Sequence, residues 1–280
     1  MSDFARCAVL GHPVAHSLSP RIHGEFAHEL GITLQYEKVD VEPQDLSSWI
    51  ESFFTGGGTG LNITLPHKHA AAALATRSSN AVVQAGAANV LSHGADGVIE
   101  ADNFDGVALI RDLTERYRLD LRGHDTLLLG AGGAGRAAAF ALFDAGVRSL
   151  TIVNRSSAAA DALADTLGQP GRVHNRYWND LGSLGVFDLV INATSAGVLG
   201  KQLGLPFGLL TPRATCYDLC YGYAASEFLG WAKASSARYA YDGLGMLVEG
   251  SAQAFECWFG KHPDTEPVFT ELRVEFPLPG

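Results

Sequence analysis

Two polar side chains and a lysine lie close together in one short segment of the chain, LNITLPHK. Asn62 and Thr64 lie two positions apart, so on a strand both side chains point to the same face. Pro66 is a residue favoured in the first turn of a helix, which predicts a helix over 66–75 with Lys68 in its first turn. A cation there is poorly placed against the helix dipole. Lys68 is therefore either a group used in proton transfer or a solvated lysine.

A second polar cluster has the sequence EADNFDG over 100–106. Asp102, Asn103 and Asp105 come at the end of a predicted strand and just before a predicted helix over 105–117. Asp is a preferred helix N-cap, and Asp105 fits that position.

Two serines form a third cluster, in HSLSP. Ser17 and Ser19 precede Pro20 and a predicted helix over 20–30. A pair of hydroxyls at a helix start can hold a carboxylate. The alternative is a helix cap beside a solvated serine.

The segment 125–141, DTLLLGAGGAGRAAAFA, is typical of a buried strand, a glycine turn and a helix. Gly130, Gly132 and Gly135 have the G-x-G-x-x-G spacing, in which the second glycine lets a pyrophosphate approach the backbone and the third lets helix and strand pack closely. A second strand predicted over 148–153 completes the βαβ unit that this motif requires. A tight turn with no ligand is the alternative.

The end of that second strand indicates which dinucleotide binds. NAD sites usually carry an acidic residue there, whereas this chain has Asn154, Arg155 and Ser156. A guanidinium and a hydroxyl suit a 2′-phosphate, which favours NADP, with NAD still possible.

Alternating strands and helices must position these residues, which predicts an α/β protein with mostly parallel sheets. We expect two domains: 1–104 plus 243–280, for substrate binding and catalysis, and 105–242, a Rossmann-type NADP-binding domain. Strands over 90–92 and 98–101 flank HGADG, a hairpin expected to add an antiparallel edge. A helix over 244–259 would return to the first domain.

Composition narrows the class of protein. The 280 residues, 47% of them hydrophobic, suffice for two cores. A net charge of −10 and the lack of a basic run argue against nucleic acid as a partner. The four cysteines show no disulfide or metal spacing, and no segment predicts a membrane span, so we expect a soluble cytoplasmic protein without a metal.

Together these segments resemble the shikimate dehydrogenase family over essentially the whole chain. The matching segments are HSLSP, NITLPHK, GAAN (86–89), DNFDG (102–106), GAGGAGR (130–136), NRS (154–156), NATSAG (192–197), YDLCY (217–221) and DGLGML (242–247).

The resemblance implies an NADP-dependent shikimate dehydrogenase of the chorismate pathway, a monomer or homodimer, with a small hydroxy carboxylate in a cleft between its domains. It makes Lys68 and Asp105 the catalytic pair. The substrate-binding residues it implies are Ser17, Ser19, Asn62, Thr64, Asn89, Asp105 and Tyr221. The cofactor-binding residues it implies are Gly130, Ala131, Gly132, Gly133, Ala134, Gly135, Asn154, Arg155, Ser156, Thr194, Leu219 and Gly243.

The chain departs from the family pattern at several positions. Gly250 stands where the family usually has a substrate-binding Gln, Phe104 replaces a Thr beside Asp105, and Ala159 replaces a second arginine of the NADP clamp. The alternatives are a paralogue acting on quinate or an aminoshikimate, and a non-catalytic dinucleotide sensor on the same scaffold. Retention of Lys68 and Asp105 argues against the sensor.

Overall fold

The computed structural model describes residues 4–94 and 96–278. The chain forms two compact units, Met1–Asp105 with Val248–Val268, and Gly106–Leu247 with Phe269–Gly280. Residues 1–3 and 279–280 of the predicted first domain, and Ala95 of the predicted hairpin loop, lie outside the described residues.

The first unit alternates strands and helices, as predicted. Its elements are β1 (Ala5–Gly11), α1 (Ser19–Glu29), β2 (Leu34–Asp40), α2 (Leu46–Thr55), β3 (Gly60–Ile63), α3 (Lys68–Leu74), β4 (Arg77–Ser78), α4 (Asn80–Ala85), β5 (Val90–His93) and β6 (Ile99–Asp102). They form one sheet in the order β2-β1-β3-β5-β6-β4. Strands β1, β2 and β3 are parallel, and β5 is antiparallel to both β3 and β6.

The predicted hairpin exists, but its predicted place at the sheet edge is wrong. The two-residue strand β4 pairs in parallel with β6 and forms the edge. Both residues of β4, Arg77 and Ser78, are exposed. A strand this short and polar carries no apolar periodicity, so no pattern in the sequence predicts it.

The second unit has the Rossmann order of strands. Its elements are α5 (Asp105–Arg111), which begins at the last residue of the first unit, β7 (Asp125–Leu129), α6 (Gly133–Asp144), β8 (Ser149–Asn154), α7 (Ser157–Leu167), β9 (Val173–Tyr177), β10 (Phe187–Asn192), β11 (Leu210–Asp218), α8 (Ser226–Ala234) and β12 (Tyr239–Tyr241). The sheet order is β12-β11-β10-β7-β8-β9, and every pairing is parallel.

Strand β7 shows why an all-apolar run is needed at the centre of this sheet. Leu127, Leu128 and Leu129 are each 0% exposed. Successive strand residues point to opposite faces, and accordingly Leu128 packs into one hydrophobic cluster while Leu127 and Leu129 pack into another. Both faces of the sheet are covered, as the sequence predicted.

Two last helices, α9 (Leu244–Phe259) and α10 (Glu266–Glu275), connect to both units along the chain. The bounds of α9 are those predicted, and its residues from Val248 onward belong to the first unit. The units differ from the predicted domains at two places, since 243–247 and the chain from Phe269 onward belong to the second unit. Arg273 donates to Asp242 at 2.5 Å, and the guanidinium of Arg116 lies 3.7 Å from the ring centre of Phe269, so side-chain contacts hold this end to the second unit.

Several other elements differ from those predicted. Helix α3 begins at Lys68 rather than Pro66. The predicted helix over 105–117 is α-helical only to Arg111 and continues as a π-helical turn over Asp112–Arg116. Helix α4 begins with a serine cap, since Ser79 Oγ accepts from the Val82 N–H at 3.4 Å. It ends at Gly86, which has φ of 61°, and a serine start with a glycine end is typical of a short helix. No helix within 4–94 and 96–278 has the length and apolarity of a membrane span.

Candidate active site and dinucleotide site

Lys68 and Asp105 meet in the first unit. Lys68 Nζ donates to Asp105 Oδ2 at 2.5 Å, and the two side chains are 18% and 11% exposed. Lys68 is the first residue of α3 and Asp105 the first of α5. A lysine that starts a helix is unfavourable for the helix dipole, and the carboxylate offsets that cost. The predicted pair is therefore present as a direct, largely buried contact.

Two asparagines fix the Asp105 carboxylate and the backbone beside it. Asn89 Nδ2 donates to Asp105 Oδ1 at 2.8 Å, while Asn89 Oδ1 accepts from the Phe104 N–H at 2.9 Å. Asn103 Oδ1 accepts from the Asp105 N–H at 3.0 Å. The idea that Asp105 caps the helix is thus wrong: Asn103 satisfies the N–H at this helix start, and both oxygens of Asp105 bind side chains. Sequence reasoning missed this role of Asn103, although DNFDG contains it.

Ser17 and Ser19 lie together at the start of α1. Ser17 Oγ donates to Ser19 Oγ at 3.2 Å and accepts from the Ser19 N–H at 3.3 Å. The N-cap position, Leu18, has no side-chain cap. The two hydroxyls are therefore grouped at the start of an eleven-residue helix, as a carboxylate site would need.

Asn62 and Thr64 both have intermediate exposure, whereas Leu61 and Ile63 are buried. The alternation puts the two polar side chains on one face, as predicted. Asn62 Oδ1 accepts from the hydroxyl of Tyr36 on β2 at 2.5 Å. Burial raises the pKa of Tyr36 well above its ordinary value, so this hydroxyl keeps its proton and can donate. No local pattern singles out Tyr36, because a single tyrosine on a polar edge strand is common.

Tyr221 lies in the second unit. It precedes a 3-10 turn over Gly222–Ala225, and its ring contacts Phe276 edge to face at 6.3 Å between centroids. The other residues predicted to bind substrate all belong to the first unit.

The glycine turn has the geometry that its spacing predicts. Gly130 has φ of 104°, a conformation that side chains disfavour. A Cβ at Gly135 would lie 2.3 Å from the carbonyl oxygen of Gly130, so helix α6 could not approach strand β7 so closely with any other residue. A Cβ at Gly132 would meet nothing within 4 Å. The open space at Gly132, next to the first N–H groups of α6, is where a pyrophosphate would fit.

The residues expected at the 2′-phosphate follow β8. Asn154 Oδ1 accepts from the Ala131 N–H at 3.2 Å, and Asn154 Nδ2 donates to the Ser156 carbonyl at 3.0 Å. Asn154 thus joins the glycine turn to the loop that carries Arg155. The side chains of Arg155 and Ser156 are exposed at the start of α7. A free guanidinium and a hydroxyl in this place fit a phosphate ester.

Thr194, Leu219 and Gly243 lie beyond the ends of β10, β11 and β12. Ligands of such sheets bind beyond the carboxyl ends of the strands. A Cβ at Gly243 would lie 2.2 Å from the carbonyl oxygen of Leu219, so these two loops pack backbone to backbone. The residues present therefore fit a bound dinucleotide, with the adenosine phosphate near Arg155.

A Rossmann-type unit with this glycine turn, on the same chain as an α/β unit that holds a lysine–aspartate pair, defines the class of two-domain dinucleotide-dependent oxidoreductases. Comparison with known proteins narrows the class. The shikimate dehydrogenase substrate binding domain matches 9–91, and shikimate / quinate 5-dehydrogenase matches 112–199. The chain belongs to the shikimate dehydrogenase family.

Individual relatives agree with this membership. Shikimate dehydrogenase (NADP(+)) of Xylella fastidiosa is 52% identical over 99% of this chain and 98% of its own length. The protein of the same name from Xanthomonas oryzae is 51% identical over 96% of each chain. Among solved structures, shikimate 5-dehydrogenase from Thermus thermophilus in complex with NADP(H) and shikimate is 32% identical, with a TM-score of 0.83 over 97% of this chain and 99% of that one.

Proposed function

We propose that this protein is an NADP-dependent shikimate dehydrogenase that interconverts shikimate and 3-dehydroshikimate in the cytoplasm, as a monomer or homodimer. The observation that carries the proposal is the Lys68–Asp105 contact on a chain that also has a dinucleotide-binding glycine turn. Relatives that match nearly the whole chain are named shikimate dehydrogenase (NADP(+)), which supports shikimate as the substrate and NADP as the cofactor.

Proton transfer in this reaction falls to Lys68. NADP supplies the hydride chemistry when it is bound. Oxidation of a hydroxyl also requires a group that takes its proton, and reduction of the ketone requires one that returns it. Lys68 Nζ would take that role, and its 2.5 Å hydrogen bond to Asp105 Oδ2 supports the proposal because it orients the amine.

Asn89 supports this pair from the other side. Its amide nitrogen binds Asp105 Oδ1, so the carboxylate cannot rotate away from Lys68 without losing a hydrogen bond. The carboxylate is thereby held beside Lys68, and its remaining lone pairs would accept from a ring hydroxyl, the contact that the family resemblance implies for Asp105.

Recognition of the substrate would divide between its carboxylate and its ring hydroxyls. The Ser17 and Ser19 hydroxyls, at the start of α1, bind the carboxylate. Asn62 uses its Oδ1 for Tyr36 and so presents its amide N–H groups to a ring oxygen. Thr64, on the same face, adds a hydroxyl, and the role of Tyr221 stays a prediction of the family resemblance.

The proposed cofactor gives the first test. We expect a higher kcat/KM for NADP than for NAD, measured by absorbance at limiting cofactor with saturating shikimate. Arg155→Ala should raise the KM for NADP about tenfold or more, since a charge-assisted contact is worth roughly 1.5 to 3 kcal/mol, and should leave the KM for NAD unchanged. Arg238→Ala, also at an exposed arginine of the second unit, is the matched control. A wild-type enzyme that prefers NAD would disprove the cofactor assignment.

Gly250 gives a second test, on substrate choice. It lies on α9 with intermediate exposure, and a glycine offers no side-chain amide to a ring hydroxyl. Gly250→Gln should therefore lower the KM for shikimate by about threefold to tenfold, the effect of one uncharged hydrogen bond of roughly 0.5 to 1.5 kcal/mol. Gly230→Gln, on an exposed helix face of the second unit, is the control.

Initial rates with shikimate, quinate and aminoshikimate, for wild type and Gly250→Gln, complete this measurement. An unchanged or raised KM for shikimate in folded Gly250→Gln would show that no ring hydroxyl lacks a partner at this position. A preference of the wild type for quinate or aminoshikimate would identify a paralogue with the same catalytic pair.

A further inference from the structure

Two buried polar side chains join the ends of β10 and β11 in the second unit. Asp218 is 0% exposed and Asn192 is 2% exposed. Asn192 Nδ2 donates to Asp218 Oδ2 at 2.7 Å. Both residues lie in segments that match the family, NATSAG and YDLCY, but the resemblance implies no role for either.

Each member of this pair also holds the loop that follows its own strand. Asn192 Oδ1 accepts from the N–H of Thr194 at 3.1 Å and from its hydroxyl at 2.8 Å. Asp218 Oδ1 accepts from the Cys220 N–H at 2.8 Å. Two loops that begin at separate strands are therefore connected through one side-chain contact.

Burial makes the charged form of the Asp218 side chain unfavourable. Burial raises the pKa of Asp218 to about 7, against the opposing effect of the Cys220 N–H and the Asn192 amide. Asp242, the nearby acid, raises it further, although Arg273 pairs with Asp242 at 2.5 Å. The Cys220 thiol is neutral, because burial raises its pKa to about 12. The hydrogen-bond partners that the structure describes for Asp218 are Asn192 and Cys220, and both are uncharged, so a buried acid here needs a reason that packing alone does not supply.

We propose that Asp218 and Asn192 are a positioning pair that sets the relative placement of the Thr194 and Leu219 loops and thereby the affinity for the nicotinamide end of the cofactor. This inference rests on the proposed function and on the cofactor-binding role that the family resemblance implies for Thr194 and Leu219. Because Asn192 and Asp218 are buried, they would act through the two loops rather than on the cofactor itself.

The hydrogen-bond pattern explains why one acid and one amide are required. Asp218 accepts with both oxygens, whereas an amide there has one acceptor and an NH2 group that would face a donor. Asp218→Asn therefore leaves two donors facing each other, and Asn192→Asp leaves two carboxylates facing each other. The exchanged pair Asn192→Asp/Asp218→Asn restores every bond. The new carboxylate accepts from Thr194 and from the new amide NH2 group, and the oxygen of that amide accepts from the Cys220 N–H.

The experiment compares NADPH binding by the four proteins, measured by fluorescence titration, together with thermal unfolding of each. Each single variant should raise the Kd for NADPH about tenfold or more, which equals about 1.4 kcal/mol. The exchanged pair should return the Kd to within about threefold of wild type. The KM for shikimate should change little in all of them.

Asp161→Asn is the matched control, because Asp161 accepts from the amide of Asn175 in the same unit but at the β9 edge of the sheet. It should not alter NADPH binding. Unchanged affinity in a folded single variant, or an exchanged pair that binds as weakly as the single ones, would overturn the proposal. If the single variants do not fold, the exchanged pair still decides, since only restored bonding gives it normal stability and affinity.

The proposed function can fail separately. Wild type that binds NADPH but oxidises no shikimate would refute the activity and leave the positioning pair standing on the binding data. If wild type oxidises shikimate but substitutions at both positions leave the Kd for NADPH unchanged, the activity stands and the positioning pair is refuted.

Discussion

Lys68→Ala should lower kcat by about 10²- to 10⁴-fold, the usual contribution of a general acid-base group, with little change in the KM for shikimate. The side chain is 18% exposed and its Nζ lies 2.5 Å from Asp105 Oδ2, so it is not a solvated lysine, and the proposed role is proton transfer. Steady-state rates in both directions measure the effect. Lys261→Ala, at an exposed lysine of the same unit, is the control.

Asp105 tests whether the two residues act as one unit. The double variant Lys68→Ala/Asp105→Asn should lose far less than the product of the two single losses, because each single change already breaks the same contact. NADPH titration of each variant checks that cofactor binding is intact. Near-normal kcat in Lys68→Ala, with NADPH still bound, would contradict the assignment of proton transfer to Lys68. A wild type that binds NADPH but oxidises none of the three substrates would instead favour a non-catalytic dinucleotide sensor.

Gly135→Ala should destabilise the second unit by about 3 kcal/mol or more, at the upper end of overpacking effects. Its Cβ would lie 2.3 Å from the Gly130 carbonyl oxygen, a backbone atom that cannot move aside without displacing strand β7 or helix α6. Urea denaturation followed by circular dichroism measures the loss.

Gly132→Ala is the matched comparison in the same turn. Gly132 has φ of −76° and open space around its missing Cβ, so alanine should leave the unfolding free energy unchanged or raise it by about 0.4 to 1 kcal/mol. The added methyl group would instead occupy the approach of the pyrophosphate, and the Kd for NADPH should rise about tenfold or more, or about 1.4 kcal/mol. Equal effects of the two substitutions on stability and on NADPH binding would refute this division of roles.

Local signals were sufficient for much of the structure. The all-apolar strand at Leu127–Leu129, the glycine spacing from Gly130 and the full extent of α9 follow from the periodicity and chemistry of neighbouring residues, and the structure confirms them. The same holds for Asn62 and Thr64, because side chains two apart on a strand must share a face. Elements without such signals were missed: β4 has two polar residues, and β9, with the sequence VHNRY, lies at a sheet edge.

Contacts between residues far apart in the sequence could be decided only by the tertiary structure. Lys68 and Asp105 are 37 positions apart, and the resemblance to a family rather than any local pattern paired them. Nothing around Asp218 predicts that its carboxylate meets Asn192, 26 positions away, or that Arg273 returns to Asp242. A residue's own neighbours in sequence fix its secondary structure and the face on which it lies. Which buried donor reaches which acceptor depends on the order of the strands, and that order is a property of the folded sheet.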